Sequence, residues 1–404
     1  MDSHKKFQKQ LIGVANSKYR DEEKLSDKVI QAFEETPRHL FVEKYRNHGV
    51  PEWFTVTDQN LEEHLSTLYA DQPAILFGSD EDFESKNGTK QVSTISQPSF
   101  VMRLIDLLDI QEGQTVFELG AASGWNAALM SRITGPKGRV VTVEIIPEIA
   151  HSAKERLQRL GYENVTVVSG DAGDGCSDYA PFNRVMFTAG AFDLPKSLHS
   201  QVKDGGLLLF VLKNKGGADT LIRLKKSGDH FTANFAMPCG FVPMTGKYHL
   251  PEMEEEKLES ILSKNQINCT PLATQNFWWG AGSSKHFLWA TSALRSFLSL
   301  WNDNFCAIET DKKDEGAFGW LEQNSFAMAT AGSLISYGDS TATDKLIAKV
   351  KHWIDLGMPT LPNLNLKVYP TGVEVPKEDN CWISQRREST FVWSLPAKQP
   401  IRHQ

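Results

Sequence analysis

Between residues 98 and 212, the apolar positions alternate between two patterns. One is a spacing of three or four residues, typical of amphipathic helices, and the other is a short continuous run, typical of buried strands. The pattern predicts helices over 98–110, 126–134, 147–161 and 195–202, and strands over 114–119, 138–145, 165–170, 184–190 and 205–212. Strands separated by helices of roughly 10 to 15 residues indicate βαβ units. The region is therefore predicted to be a doubly wound α/β sheet with helices on both faces.

The segment before this region is less regular. One helix is predicted within residues 22–48, from apolar positions at helical spacing: Leu25, Val29, Ile30 and Phe33. Pro37 is expected to end that helix. Residues 77–90 (FGSDEDFESKNGTK) are acidic and contain Gly and Asn, which predicts an exposed loop. We interpret this loop as solvated surface, with recognition of a basic leader peptide as the alternative.

The pattern changes again after about residue 250. A charged helix is predicted over 251–265, and most of the tryptophans follow it. We expect the aromatic run at 276–282 (NFWWGAG) to be buried core, with peptide binding as the alternative. The predicted divisions are an N-terminal helical segment with an insertion (1–90), a catalytic domain (91–250), and a smaller α+β module that recognises substrate (251–404).

Composition and charge exclude several classes of protein. The 404 residues are 40% hydrophobic and 23% charged, as in ordinary globular proteins. A net charge of −7 without a basic patch argues against a nucleic-acid partner. The chain has no run approaching the roughly 18 to 20 apolar residues that span a membrane, so a cytoplasmic protein is expected. The five cysteines are scattered without a C-x-x-C pair, which predicts neither a disulfide framework nor a metal site.

The stretch VFELGAASGWN (116–126) joins a predicted strand to a predicted helix through small residues. Such a turn allows a ligand to approach the backbone and the free N–H groups of the helix. A dinucleotide fingerprint would need glycine at 122 and 125, where this chain has Ala122 and Trp125. The turn therefore predicts a nucleotide-like cofactor other than NAD or FAD.

Two acidic residues indicate which nucleotide-like cofactor this turn binds. Glu144 ends the second strand, about twenty residues after the turn, where a carboxylate accepts hydrogen bonds from ribose hydroxyls. Asp171 follows the third strand and is placed to accept from an exocyclic amine such as that of adenine. Alone, each acid is equally well explained as a helix cap or a solvated loop residue. Together with a turn that lacks a phosphate-binding lysine, they predict S-adenosylmethionine.

Several longer motifs carry a family resemblance. They are TPRHLFV (36–42), STISQP (93–98), VFELGAASGWNAAL (116–129), GDAGDG (170–175) and FVPMTG (241–246). On these motifs, residues 22–250 resemble the protein L-isoaspartate O-methyltransferases. The resemblance implies a seven-stranded, mostly parallel, Rossmann-like sheet that uses S-adenosylmethionine. It also implies a protein or peptide substrate whose acceptor is a carboxylate of aspartate or isoaspartate.

The resemblance also implies roles for individual residues. Residues 94–96 match the family's lid, and Ser96 matches its active-site serine. The alternative for Ser96 is an N-cap of the helix that follows Pro98. The implied cofactor-binding residues are Thr94, Ile95, Ser96, Glu118, Gly120, Ala121, Gly124, Glu144, Ile145, Asp171, Ala172, Thr188 and Thr245.

The reaction implied is methyl transfer to a carboxylate that is already ionised at neutral pH, so neither a general base nor a metal is expected. Positioning and removal of water would supply the rate. We expect the ester then to be attacked by the neighbouring backbone amide, which gives a succinimide.

The chain also departs from typical family members. Typical members are little more than half as long as this chain. We expect the last 150 residues to have no counterpart in the repair enzyme. Longer relatives that esterify one Asp of a ribosomally made peptide are similar over nearly the whole chain, though more loosely. Three functions stay open: repair of isoaspartate, methylation of a dedicated peptide, and a non-catalytic adaptor that binds S-adenosylmethionine. The oligomeric state is also open.

Overall fold

The structure is a computed structural model. It describes residues 3–18, 24–78, 92–215, 219–276, 292–301, 303–309, 317–330, 332–376 and 381–396. The aromatic run predicted at 276–282, apart from its first residue, lies outside these ranges, as does most of the acidic loop at 77–90.

Four helices between residues 98 and 202 lie where the periodicity predicts them, and several others were not predicted. They are α1 (Ser3–Ser17), α2 (Asp27–Glu34), α3 (Leu61–Leu68), α4 (Pro98–Leu108), α5 (Trp125–Thr134), α6 (Pro147–Arg159), α7 (Lys196–Gln201), α8 (Leu258–Lys264) and α9 (Thr341–Asp355). Residues 292–298 are also helical. The helix predicted within 22–48 is α2, which ends before Pro37 as expected.

One predicted helix is wrong in its length. Residues 251–265 were expected to be helical throughout, but α8 begins only at Leu258. Glu256 is held in extended backbone, because its N–H donates to the Ala307 carbonyl at 3.0 Å and its own carbonyl accepts from the Glu309 N–H at 2.9 Å. These contacts with a distant strand override the local helical preference of the acidic run.

The strands build two large sheets and two short hairpins. They are β1 (Lys44–Tyr45), β2 (Phe54–Thr55), β3 (Ala74–Phe77), β4 (Ser93–Ile95), β5 (Thr115–Leu119), β6 (Arg139–Glu144), β7 (Val165–Ser169), β8 (Phe182–Phe187), β9 (Val202–Leu212), β10 (Asp219–Ser227), β11 (His230–Cys239), β12 (Ala273–Asn276), β13 (Phe305–Ala307), β14 (Phe318–Glu322), β15 (Ser325–Ala329), β16 (Ser333–Tyr337), β17 (Asn365–Pro370), β18 (Cys381–Gln385) and β19 (Ser389–Ser394).

The central sheet has the order β18-β19-β17-β11-β10-β9-β8-β5-β6-β7. Strands β5 to β9 pair in parallel, and β10 and β11 continue the sheet antiparallel. These seven strands confirm the predicted doubly wound α/β sheet. The inner parallel strands β5, β6 and β8 are covered on both faces and consist mainly of buried residues such as Phe117 and Val141, whereas the edge strand β7 is only partly buried.

The C-terminal region contributes to two sheets. Residues 273–337 supply a separate antiparallel sheet of order β12-β16-β15-β14-β13, and α9 packs on β14 and β15. Strands β17 to β19 instead extend the central sheet, where Phe231 of β11 is opposite Val368 of β17. The division at residue 250 thus stays a prediction, and part of the proposed module is continuous with the catalytic sheet.

Other features bear on the predicted class of protein. Among the described helices, none is long and apolar enough to cross a bilayer. Within the same residues, no group of three or more His, Cys, Asp or Glu side chains is arranged to hold a metal ion. The five cysteines are free thiols, of which Cys269 is exposed and the other four are partly buried.

Candidate active site

A cleft lies at the carboxyl ends of the parallel strands, where ligands bind in open α/β sheets. It contains about 1010 Å³ of space, part of it open to solvent. The sheet register brings its walls together, because the Gly120 N–H donates to the Val143 carbonyl and the Thr188 N–H to the Leu119 carbonyl. The lining segments are 92–96, 119–123, 125–126, 143–146, 171–172, 188–189 and 242–245.

The turn after β5 is tightly packed against the next wall of the cleft. Gly120 has φ +92°, and a side chain there would collide with the Thr188 hydroxyl. That hydroxyl lies 2.6 Å from the Leu119 carbonyl oxygen and 2.9 Å from the Gly120 carbonyl oxygen. Ala122, in place of a middle glycine, also has a positive φ of 45°, which is strained for a residue with a Cβ.

Glu144 connects this turn to the end of β6. Its Oε2 accepts from the Ala122 N–H at 2.9 Å, and its Oε1 accepts from the Ile146 N–H at 3.2 Å. Burial raises the pKa of Glu144 above the ordinary value, although backbone donors, led by the Ala122 N–H, partly oppose this. Glu144 therefore shapes the turn and also contributes a carboxylate to the cleft wall.

Asp171 follows β7, the strand next to β6, and is held by two backbone donors. The Gly173 N–H donates to its Oδ1 at 3.0 Å, and the Lys247 N–H donates to its Oδ2 at 3.0 Å. Gly246, with φ +87°, has no room for a side chain, because a Cβ there would collide with the Asp171 carboxylate. The segment around residue 246 thus packs directly on Asp171.

Glu118 lies beneath the turn, not on the cleft surface. It is completely buried, and within the described part of the chain neither carboxylate oxygen has a hydrogen-bond partner of ordinary geometry. Burial raises the pKa of Glu118 to about 8, and the nearby Glu144 adds to the shift, although Thr142 and Asn126 oppose it. At neutral pH this carboxyl group is therefore mostly protonated, and a positively charged ligand close to Gly120, such as S-adenosylmethionine, would favour its ionised form.

The lid strand β4 is held from below by Arg38. One guanidinium nitrogen donates to the Ser96 carbonyl at 2.8 Å, and the other donates to the Ile95 carbonyl at 3.3 Å. The guanidinium also lies 4.8 Å from the ring centroid of Trp125, the first residue of α5. Arg38 therefore joins the lid to the helix that begins at the cofactor turn.

Asp71 fixes the other end of the lid, where α4 begins. Its carboxylate accepts from the Ser99 N–H at 2.9 Å and from the Gln97 side chain at 3.0 Å, and it pairs with Lys18. Asp71 thus caps the helix from a distant position. The alternative interpretation of Ser96 as an N-cap is wrong, because Gln97 is the N-cap residue and no side chain of that position caps α4.

The structure brings most of the predicted site residues to this one cleft. All of them line it except Glu118, which lies beneath it, and Gly124. Gly124 is the N-cap of α5 with φ +83°, and a side chain there would collide with Leu157. Their roles in binding stay predictions. The sequence alone did not identify the role of Arg38, although this residue belongs to the motif TPRHLFV, or that of Asn126 in the cleft wall.

The chain is similar in sequence to known methyltransferases. The family model described as protein-L-isoaspartate(D-aspartate) O-methyltransferase matches residues 14–249, more than half of the chain. A protein-L-isoaspartate O-methyltransferase 1 of Archaeoglobus fulgidus is 36% identical over 239 residues, which cover 58% of this chain and 94% of the relative. The protein-L-isoaspartate O-methyltransferase of Methanococcoides burtonii is 35% identical over 222 residues, which cover 55% and 93%.

A solved structure extends the comparison beyond that region. A protein-L-isoaspartate O-methyltransferase aligns with a TM-score of 0.54 and 22% identity, over 89% of this chain and 96% of its own. Residues 1–250 are less than two thirds of the chain, so the shared fold continues into the C-terminal region. Part of the last 150 residues therefore has a counterpart in the fold of that structure, and its absence from the repair enzyme stays a prediction.

Proposed function

The chain belongs to the protein-L-isoaspartate(D-aspartate) O-methyltransferase family, and from this membership we propose that it methyl-esterifies isoaspartyl carboxylates in proteins or peptides. It is an S-adenosylmethionine-dependent O-methyltransferase of that family. The acceptor is the part of the function that we propose. The observation that supports it most is that one cleft combines the lid residue Ser96 with the two acids Glu144 and Asp171.

The residues of the cleft fit the cofactor of the family. Glu144 would hold the ribose, Asp171 the adenine, and the turn from Gly120 to Ala122 the methionine side, with the carboxyl group of Glu118 beneath it. When bound, S-adenosylmethionine supplies an electrophilic methyl group on a positively charged sulfur. The chain's own task is to orient the acceptor oxygen and to exclude water from it.

The acceptor carboxylate needs no general base, because it is ionised at neutral pH. We assign Ser96 to its orientation, since Arg38 and Asp71 fix the backbone on both sides of that residue. The Thr188 hydroxyl is directed to two backbone carbonyls, those of Leu119 and Gly120. The small residues that follow it leave room in the cleft for a peptide backbone. After transfer, attack of the next backbone amide nitrogen on the ester carbonyl, with loss of methanol, would give the succinimide.

A dedicated aspartyl peptide is the second candidate acceptor. It is favoured by the position of β3, which pairs along the lid strand and belongs to the insertion before it: Ile75 is opposite Thr94. An enzyme that contacts its peptide through this insertion as well as through the cleft would select one peptide over isoaspartyl substrates in general. The third hypothesis, a non-catalytic adaptor, requires that S-adenosylmethionine binds and no ester forms.

One experiment separates these functions. Two peptides that differ only in an aspartyl or isoaspartyl residue are incubated with methyl-labelled S-adenosylmethionine, and base-labile methyl ester is measured on each. Ester on the isoaspartyl peptide alone is the expected result. Ester on the aspartyl peptide would favour the second candidate. Absence of ester on both, with normal binding of S-adenosylhomocysteine, would contradict the proposal.

The role of Ser96 is tested in the same assay. Ser96→Ala should lower turnover while the affinity for S-adenosylhomocysteine is largely kept, because the serine orients the acceptor. Ser263→Ala, at an exposed position of α8, is the matched control and should behave as wild type. Full activity of Ser96→Ala would refute the assigned role.

A further inference from the structure

The turn between β18 and β19 is anchored to the catalytic region. The Glu388 N–H donates to Asp193 Oδ2 at 2.7 Å. The Ser389 hydroxyl donates to the Leu194 carbonyl at 2.6 Å and lies 2.9 Å from Nε2 of His199. Ser389 and His199 are buried. The C-terminal hairpin is therefore held in one position relative to the loop that follows β8.

Arg387 extends from this anchored turn toward the cleft. Its guanidinium donates to the Lys247 carbonyl at 2.8 Å and lies 5.9 Å from the ring centroid of Tyr248. It also lies 3.5 Å from the carboxylate of Glu388, which orients it. A residue of the C-terminal hairpin thus holds the backbone of the segment that follows Thr245 in the cleft wall.

The segment held by Arg387 packs on the predicted adenine-binding turn. The Lys247 N–H donates to Asp171 Oδ2 at 3.0 Å. The Tyr248 hydroxyl donates to Asp174 at 3.0 Å, and its ring lies so close to Gly173 that a Cβ there would collide with it. Residues 246–248 therefore form a clamp on residues 171–174, and the carbonyl of the central residue of that clamp is bound by Arg387.

We propose that Arg387 is a positioning residue for the cofactor: it holds residues 246–248 against Asp171 and so sets the affinity for the adenosyl part of S-adenosylmethionine. The inference rests on the proposed use of the cleft for that cofactor. Arg387 is not among the residues that line the cleft. It acts through a chain of two hydrogen bonds, from its guanidinium to the Lys247 carbonyl and from the Lys247 N–H to the Asp171 carboxylate.

The test measures binding of S-adenosylhomocysteine to the full-length protein by calorimetry, together with kcat and KM. Arg387→Ala should weaken binding and raise the KM for S-adenosylmethionine by about threefold to tenfold, because one charge-assisted hydrogen bond is lost. The kcat at saturation should be kept. Arg387→Lys should recover part of the affinity. Lys351→Ala removes the same charge from an exposed position of α9 and should bind as wild type.

A double-mutant experiment distinguishes a positioning role of Arg387 from a general role in stabilising the fold. In an Asp171→Asn background, Arg387→Ala should have a much smaller effect than in the wild type, because both changes affect the same path. Equal binding by wild type and Arg387→Ala, or fully additive effects of the two changes, would overturn the proposal. Failure of the wild-type protein to bind S-adenosylhomocysteine would instead contradict the proposed function.

Discussion

The buried carboxyl group of Glu118 makes the stability of the protein depend on pH. In the unfolded chain this group loses its proton near its ordinary pKa of 4.5, whereas in the folded protein burial raises the pKa to about 8. Between these values the native state binds more protons than the unfolded state, so stability falls as the pH rises. At 1.36 kcal/mol per pKa unit, the loss is about 4 to 5 kcal/mol above about pH 8.

Replacing Glu118 by Gln removes this dependence, because the amide stays neutral at every pH. The variant should gain stability over the wild type steadily from about pH 5 and reach about 4 to 5 kcal/mol near pH 9. Urea denaturation at a series of pH values measures the difference, and the other titrating groups cancel in it. Glu163→Gln, at an exposed position, is the control and should give a flat difference.

The same variant should bind S-adenosylmethionine less tightly above about pH 8, where the wild-type Glu118 is ionised and attracts the positively charged sulfur. Higher stability at alkaline pH with lower affinity is a combination that general damage to the fold does not produce. A stability difference between Glu118→Gln and wild type that stays constant between about pH 5 and about pH 9 would refute the reasoning.

Three further changes test the turn and the lid. Ala122→Gly relieves a positive φ and should stabilise the protein by about 0.5 to 1 kcal/mol in urea denaturation; a loss of stability would show that the methyl group packs favourably. Asp71→Ala removes the acceptor of the Ser99 N–H and should cost about 1 to 2 kcal/mol and lower turnover. Burial raises the pKa of Asp71, but hydrogen bonds from Lys18 and Ser99 outweigh this effect and lower it. The loss of stability in Asp71→Ala should therefore become smaller as the pH falls through the lowered pKa, because the wild-type carboxylate is then protonated. Gly120→Ala should weaken binding of S-adenosylhomocysteine at least about tenfold, since the new Cβ collides with the Thr188 hydroxyl, and Thr188→Ala should restore part of it.

The positions of the cleft residues could be predicted where they follow from the order of strands and helices along the chain. The carboxyl ends of parallel strands share one edge of a sheet, so Glu144 and Asp171 were expected beside the turn at Gly120. The structure places all three in the cleft wall. The pattern of buried strands likewise predicts the five parallel strands, because apolar runs between helices have few other arrangements.

The residues that hold the lid in place were not predictable in this way. Arg38 contacts a carbonyl 58 positions further along the chain, and Asp71 contacts an N–H 28 positions further along. No periodicity relates such pairs, since tertiary packing alone brings them together. The same holds for α8, where backbone contacts with the distant strand β13 shorten a helix that local propensity favours.

Strands β17 to β19 join the central sheet late in the sequence, and this affects folding during synthesis. The hydrogen bond from Arg387 to Lys247 closes a loop of 140 residues, and that from Glu388 to Asp193 closes one of 195. Contacts between such distant residues form late, because loop closure costs entropy before the contact is gained. During synthesis, the clamp on Asp171 therefore lacks its contact with Arg387 until the hairpin of β18 and β19 has left the ribosome. From the proposed role of Arg387, we expect a nascent chain that already contains every lining residue of the cleft to bind S-adenosylmethionine more weakly than the folded protein.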